Sequence, residues 1–308
     1  MEKYDVIIVG GGMAGISAAI WSNRLKLNHL LLESNHTPGG QLEQIFNQII
    51  DYPGKIIENG KELQKSLIEQ IHTLKCNISS NSVVTEIDST NKTIHYFKDG
   101  NRLEASYQYL IIATGAKHRT LDIPGEKEMI ERGEVYSATR HKDKFTNKQV
   151  AIVGGGDRAF EGAMLLANAG AKVVLIHRST HFRARNTYKD EVLNHKNVEI
   201  LTDATVTAIY GETRVERIEV KHDGTIRSIE VDGILIRIGN VPNSTLVKDI
   251  VQLDNQENIV VNKLGQTNIP FIFAIGDVCT PAAYCSISLS AGQGMITTKY
   301  ISELLLQN

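Results

Sequence analysis

The sequence predicts an α/β fold built from two three-layer units of one kind, the second inserted in the first. Two observations lead there. The stretch VIIVGGGMAG at residues 6–15 returns as VAIVGGGDRA at residues 150–159. Each copy passes from a β-branched apolar strand through a glycine cluster into small and apolar residues at helical spacing, which reads as strand, tight turn, helix. After the second unit the chain comes back to another apolar strand, FIFAIGD at 271–277, so material for the first unit lies on both sides of the second. A chain of 308 residues with 42% hydrophobic composition suffices for two ordinary cores.

In the first unit Gly10, Gly12 and Gly15 fit G-x-G-x-x-G. Small residues serve there as a sharp turn, as backbone that lets a pyrophosphate approach, and as close helix-to-strand packing, so each unit is Rossmann-like and nucleotide-binding. The next strand, HLLLE, ends in Glu33, 23 positions after Gly10, where an acid accepts hydrogen bonds from an adenosine ribose. GGQ and DYPG turns follow, then a helix around 60–75 and period-two strands as far as YLIIATG at 109–115. The turn IPGE at 123–126 opens the second unit, in which Gly154 and Gly156 keep the first two glycines and Ala159 takes the third place. Its strand VVLIH ends in His177, again 23 positions on, followed by Arg178. No carboxylate is there to repel a 2′-phosphate, and a guanidinium stands next door, so this site leans towards NADP over NAD. The unit ends near LIRIGNVPN at 235–243, and a small-residue helix is expected from about Ser290.

Two dinucleotide sites in one chain call for a hydride donor and its acceptor, a nicotinamide and a flavin. The expected organisation is an FAD-binding domain over 1–116 and 242–308, interrupted by an NAD(P)H-binding domain over 117–241. Both crossings carry glycine or proline and are expected to be linker strands that let one domain turn against the other. With 33 basic and 35 acidic residues the chain has no electrostatic reason to bind nucleic acid or an anionic membrane. Charged Glu2, Lys3 and Asp5 precede the first strand directly, and no apolar run reaches membrane length, so a cytoplasmic enzyme without a signal peptide is expected. Cys76, Cys279 and Cys285 form neither a metal spacing nor a disulfide framework, and no metal is expected.

Over essentially its whole length the chain resembles the low-molecular-weight thioredoxin reductase family of flavoproteins. The resemblance rests on VGGGMAG with Glu33, PGGQL (38–42), DYPG (51–54), ATGA (113–116), GGGDRAFEGA (154–163), HRSTHFRA (177–184), IGNVPN (238–243) and TNIPFIFAIGDV (267–278). It implies FAD held by Gly10, Gly12, Gly15, Glu33, Gly40, Gln41, Thr114, Gly115, Asp277 and Gln293, with Asp277 on the ribityl chain. It implies a last helix, opening at Ala291–Gly294, whose N-terminus faces the flavin ring where charge gathers on reduction. NADPH, with NADH as the alternative, would lie on Gly154, Gly156, Arg178 and Arg183. A homodimer is expected from the family.

The chain departs from that family where its redox disulfide belongs. VYSATRHK at 135–142 puts Ser137 and Arg140 at the two cysteine places of C-A-T-C, and neither exchanges disulfides. The family's H-R-R run becomes His177, Arg178, Ser179, with Arg183 retained; Arg158 replaces a small polar residue and either meets phosphate or points to water. Cys285 and Ser286 take the place of an Arg-Gln pair. Cys279 and Cys285 read as two half-buried thiols, with a relocated redox pair as the sharper alternative. The leading expectation is an FAD-dependent NAD(P)H oxidoreductase that passes electrons from the flavin directly to an unidentified acceptor. Two alternatives stand beside it: a ferredoxin/flavodoxin-NADP reductase-like enzyme, whose C-terminal aromatic extension is not expected in a chain running to Asn308, and a flavin-binding redox sensor or interaction protein without turnover.

Overall fold

A computed structural model describes residues 1–46 and 48–307, and the chain divides into two compact units, Met1–Lys117 with Asn240–Asn308, and His118–Gly239. The first opens with strand β1 (Glu2–Val9), helix α1 (Met13–Arg24) and strand β2 (His29–Leu32). Alternation along β1 sorts its side chains into two layers. Ile7 and Val9 join Leu30, Leu32, Ile94 and Leu110 on one face, whereas Val6 and Ile8 join Ala14, Ala18, Ile111 and Phe273 on the other. Both faces are dry because β1 lies inside a parallel sheet, covered on each side.

Helix α2 (Gly60–Thr73) follows, then β3 (Ile78–Ser79), β4 (Ser82–Asp88), β5 (Thr93–Lys98) and β6 (Asn101–Ile112). The strand order is β3-β2-β1-β6-β5-β4. β6 is long because it pairs with β1 along one edge and with two strands along the other: residues 101–106 pair antiparallel with β5, while 110–112 pair parallel with a strand that arrives much later. The short strand β7 (Ala116–His118) then leads out.

The second unit contains helices α3 (Glu126–Glu131) and α4 (Ala138–His141), strand β8 (Gln149–Val153), helix α5 (Asp157–Asn168), strand β9 (Lys172–Ile176), helix α6 (Asn186–Leu193) and strand β10 (Val198–Leu201). A meander β11 (Ala204–Tyr210), β12 (Arg217–His222) and β13 (Thr225–Glu230) precedes β14 (Gly233–Ile236). Parallel strands run β10-β9-β8-β14. Val150, Ile152 and Leu175 pack with Phe145, Phe160 and Leu166 on the helical face. Ala151, Val153, Val174 and Ile176 pack with Ile209, Ile218 and Val220 of the meander. This is the same three-layer plan as the first unit, helix, parallel sheet, antiparallel sheet.

The chain returns through β15 (Asn240–Pro242), which pairs with β7, and completes the first unit with β16 (Ile272–Ala274) and α7 (Ile287–Leu306). α7 starts earlier than the sequence suggested. Ser286 caps it, its Oγ accepting the Leu289 N–H at 3.1 Å, so Ala291–Gly294 belong to the second turn and not to the N-terminus. Those small residues answer to packing: a Cβ on Gly294 would lie 2.6 Å from Ala14 O and 2.9 Å from Ala18 N of α1.

Candidate dinucleotide sites

The turn after β1 is built by exclusion. Gly10 has φ +105°, and a Cβ there would meet Ala113 O at 2.4 Å; a Cβ on Gly15 would meet Gly10 O at 1.9 Å. Only glycine lets the strand turn this sharply and α1 sit this close. Gly12, by contrast, has nothing within 4 Å of a Cβ, which leaves open space over the first turn of α1. The loop at 38–42 lies across it: Gly39 N donates to Gly11 O at 2.7 Å, and a Cβ on Gly40 would stand 3.1 Å from Gly12 Cα.

Glu33 is 5% exposed, and three donors reach its carboxylate. Oε2 accepts the Gly11 N–H at 2.6 Å, and Oε1 accepts Asn35 N at 2.7 Å and the Ser34 hydroxyl at 3.2 Å. A carboxylate has about four acceptor sites, so one remains for an adenosine hydroxyl. Gln41 Nε2 donates to Asp277 Oδ2 at 3.0 Å, and Gln293 Oε1 accepts Gly276 N at 2.7 Å, so these three predicted residues meet around one loop. An open glycine turn, a positive helix end and a buried carboxylate at strand's end are the donor set and the cradle that FAD needs. Thr114 and Gly115 take part in a clasp. Thr114 Oγ1 donates to Asn243 O at 2.8 Å, Asn243 Nδ2 returns to Thr114 O at 2.9 Å, and Asn243 N reaches Gly115 O at 2.9 Å, clasping the chain where it leaves and where it returns.

The second turn repeats these constraints with different chemistry. A Cβ on Gly154, φ +150°, would lie 2.3 Å from Arg237 O, and Gly156 again faces open space. Where the first unit sets Glu33 against Gly11, here the imidazole of His177 covers Gly155, 2.3 Å from a Cβ placed there. Burial lowers the His177 pKa below its ordinary 6.5, helped by the charges of Arg178 and Arg183. The ring is therefore neutral near pH 7, with Nε2 on His181 O at 3.1 Å. Arg183 N and Ala184 N both donate to Gly155 O, at 2.8 and 3.1 Å, so the loop 177–184 is fastened to the turn with its two arginines exposed. The acid in this turn, Asp157, is occupied by Arg185, whose Nε lies 2.9 Å away.

At the family's disulfide place Ser137 precedes α4, and its backbone N–H donates to His141 Nδ1 at 3.0 Å. Beside it the buried Tyr136 ring meets His141 and Phe145 edge-on, centroids 5.6 and 4.9 Å apart. Cys279 and Cys285, the two thiols of the alternative redox pair, are both half-buried. Each Sγ turns to a carbonyl of its own loop, Cys279 to Gly276 O at 3.4 Å and Cys285 to Thr280 O at 3.5 Å. Burial pushes the Cys279 thiol up to about 12, far from a reactive thiolate.

Three contributors escaped the sequence reading. Gln64, buried, donates Nε2 to Pro38 O at 2.8 Å and to Glu43 Oε1 at 2.9 Å, bracing the loop over the first turn. Its signal was an amide among Leu63, Leu67 and Ile71 on the apolar face of α2. Gly276, φ +76°, admits Ala14 beneath it, a Cβ there falling 2.9 Å from the alanine methyl. Arg237 carried no signal in its local pattern.

Among the described residues no helix is long and apolar enough to cross a membrane, and no group of three or more His, Cys, Asp or Glu is placed to hold a metal. The chain is similar to the F component of alkyl hydroperoxide reductase from Staphylococcus aureus (strain MRSA252), 33% identical over 318 residues that cover all of this chain and 60% of that protein. It is likewise similar to a 34.2 kDa protein in the rubredoxin operon of Clostridium pasteurianum, 32% identical over 90% of this chain and 89% of the other. In structure it is similar to Lactococcus lactis thioredoxin reductase in its FR conformation, with a TM-score of 0.82 at 30% identity over 99% and 100% of the two chains. The chain thus spans about three fifths of the length of the Staphylococcus relative. The two glycine turns fall inside a single family match that runs from residue 4 to residue 297, and on that ground the chain belongs to the pyridine nucleotide-disulphide oxidoreductase family.

Proposed function

We propose that the protein is an FAD-dependent NAD(P)H oxidoreductase that hands electrons from its flavin to an acceptor without a disulfide relay. The observation that carries this is the paired chemistry of the two glycine turns: a carboxylate, Glu33, against Gly11 in one, and a neutral imidazole with flanking arginines against Gly155 in the other. FAD, when bound, supplies two-electron acceptance from a reduced nicotinamide. The first unit's part is to seat it: α1 presents N–H groups over Gly12, Glu33 takes a ribose hydroxyl, and Asp277, steadied by Gln41, keeps acceptor capacity for a further hydroxyl. The second unit's part is to seat the donor, with Arg178 and Arg183 recognising a 2′-phosphate and Ser179 costing one cation of the family's set. NADPH is accordingly preferred over NADH, modestly. Ser137 and Arg140 at the disulfide place, with Cys279 held as a protonated thiol, support direct exit of electrons from the flavin. The acceptor's identity, a homodimeric assembly and a cytoplasmic setting belong to the same proposal.

Anaerobic addition of NADPH tests it. The purified protein should be yellow, its flavin should bleach, and small dyes or quinones should then re-oxidise it while thioredoxin does not. A yellow protein inert to NADPH and NADH alike would replace this reading with that of a binding protein without turnover.

A further inference from the structure

The two units differ at two further places beside the glycine turn. Gly10 is fitted against the Ala113 carbonyl and Gly154 against the Arg237 carbonyl, at nearly equal distances, so Arg237 occupies in the second unit the position of Ala113 in the first. Two residues after the middle glycine, Arg158 corresponds to Ala14. Both alanines are buried apolar packing residues. Their counterparts are guanidinium groups.

Arg237 is fixed where it is. Its backbone N–H continues the β8–β14 ladder to Val153 O at 2.7 Å, and its side chain donates Nη1 to Ile236 O at 2.8 Å and Nη2 to Tyr136 O at 2.5 Å. Those partners are carbonyls. Among the described residues neither Arg237 nor Arg158 forms an ion pair, and Asp157, the acid of the same turn, is held by Arg185. Arg237 is half-buried and lies within reach of the Arg158 charge, both of which lower its pKa. Two like charges, one of them desolvated, are an arrangement that costs stability unless an anion joins them.

The topology says where such an anion would sit. In the order β10-β9-β8-β14 the sheet reverses direction of growth at β8, and ligands of doubly wound sheets enter the crevice at the strand ends there. Gly154 forms one lip of that crevice and Arg237 the other, with open space at Gly156. Arg178 follows β9, on the opposite side of β8 from Arg237, and the loop that carries Arg183 is fastened to Gly155 O from that β9 end, so the 2′-phosphate and this anion are different groups.

We propose that Arg237 and Arg158 form a two-pronged clamp for the pyrophosphate of the pyridine dinucleotide, a clamp the flavin side lacks. The inference rests on the reading of the second unit as the NAD(P)H site and deepens it. It makes affinity for the dinucleotide depend on cations that do not choose between NADPH and NADH, leaving that choice to Arg178 and Arg183.

Calorimetric titration of the oxidised holoprotein tests it, with NADP⁺, NAD⁺, ADP-ribose and 2′-AMP as probes. Arg237→Gln and Arg158→Ala should each weaken NADP⁺, NAD⁺ and ADP-ribose by a similar factor, roughly tenfold or more for a charge-assisted contact. Binding of 2′-AMP, which has no pyrophosphate, should be unchanged, and the salt dependence of NADP⁺ binding should flatten. Variants that fold normally and bind ADP-ribose like the parent would overturn the clamp while leaving the dinucleotide site standing. Loss confined to NADP⁺ would place these arginines on the 2′-phosphate and overturn it too. A parent protein that binds none of the three dinucleotide probes would overturn the site and the clamp together. Should Arg237→Gln unfold because Tyr136 loses its partner, the exposed Arg158→Ala carries the test alone.

Discussion

Gly10 and Gly12 stand two positions apart and do opposite work. A methyl at Gly10 meets the Ala113 carbonyl and a positive φ; a methyl at Gly12 meets nothing. Gly10→Ala should therefore cost about 2 kcal/mol or more of stability, through backbone strain and overlap. Gly12→Ala should leave the unfolding temperature nearly unchanged while lowering the flavin content of the purified protein, since its Cβ fills space that a pyrophosphate needs. Equal losses of stability in the two variants would contradict this division. His29 offers a residue-scale test of another kind. Buried at the start of β2, it donates Nδ1–H to Leu27 O at 3.1 Å and accepts Asn77 N–H on Nε2 at 3.2 Å, an arrangement only the neutral ring can make. Burial holds its pKa below the ordinary 6.5. The unfolded chain thus takes up this proton first as pH falls, so the contribution is full above about 6.5 and is lost on acidification towards the folded value. Unfolding temperatures measured between pH 7.5 and 5.5 should fall with a slope that His29→Gln reduces; an unchanged slope would remove His29 from the account.

At the scale of elements, α7 is the piece whose logic differs most from its sequence signal. Alanine and glycine at 291–294 look like a loosened helix start, but Ser286 already supplies the cap, and the small residues let α7 and α1 pass at backbone distance. Ser17 Oγ donates to Ala291 O at 2.7 Å across the same crossing. A side chain at 294 has no room, so Gly294→Leu should destabilise the first unit by about 1 to 3 kcal/mol or more, and it should weaken flavin retention because α1 carries the Gly12 turn. Gly292 has nothing within 4 Å of a Cβ, and Gly292→Ala is the control that should melt like the parent. Thermal unfolding followed in parallel by flavin release and far-UV dichroism separates the two effects.

For the whole molecule the countable quantity is electrons. Under the proposed disulfide-free reading, with Ser137 and Arg140 at the disulfide place, the chain would store only what a bound flavin holds. An anaerobic dithionite titration should be complete after about one two-electron equivalent per flavin, and denatured protein should show no more thiols after reduction than before. Uptake of two equivalents with two new thiols would reinstate the cysteine pair. How much of this molecule its sequence determined follows from the range of the forces involved. The glycine turns and Glu33 at a strand end were legible because turns, strand alternation and helical spacing are set by sterics within a few residues, whereas Ser137 and Arg140 stood out only against the C-A-T-C of the resembled family. Tertiary structure alone decided that Gln64 braces the loop over the first turn, that Gly294 is pressed against α1, and that Arg237 stands against Gly154. Those contacts join segments far apart in the chain, and they are fixed by which faces of strands and helices must be buried together, a condition no local pattern of residues records.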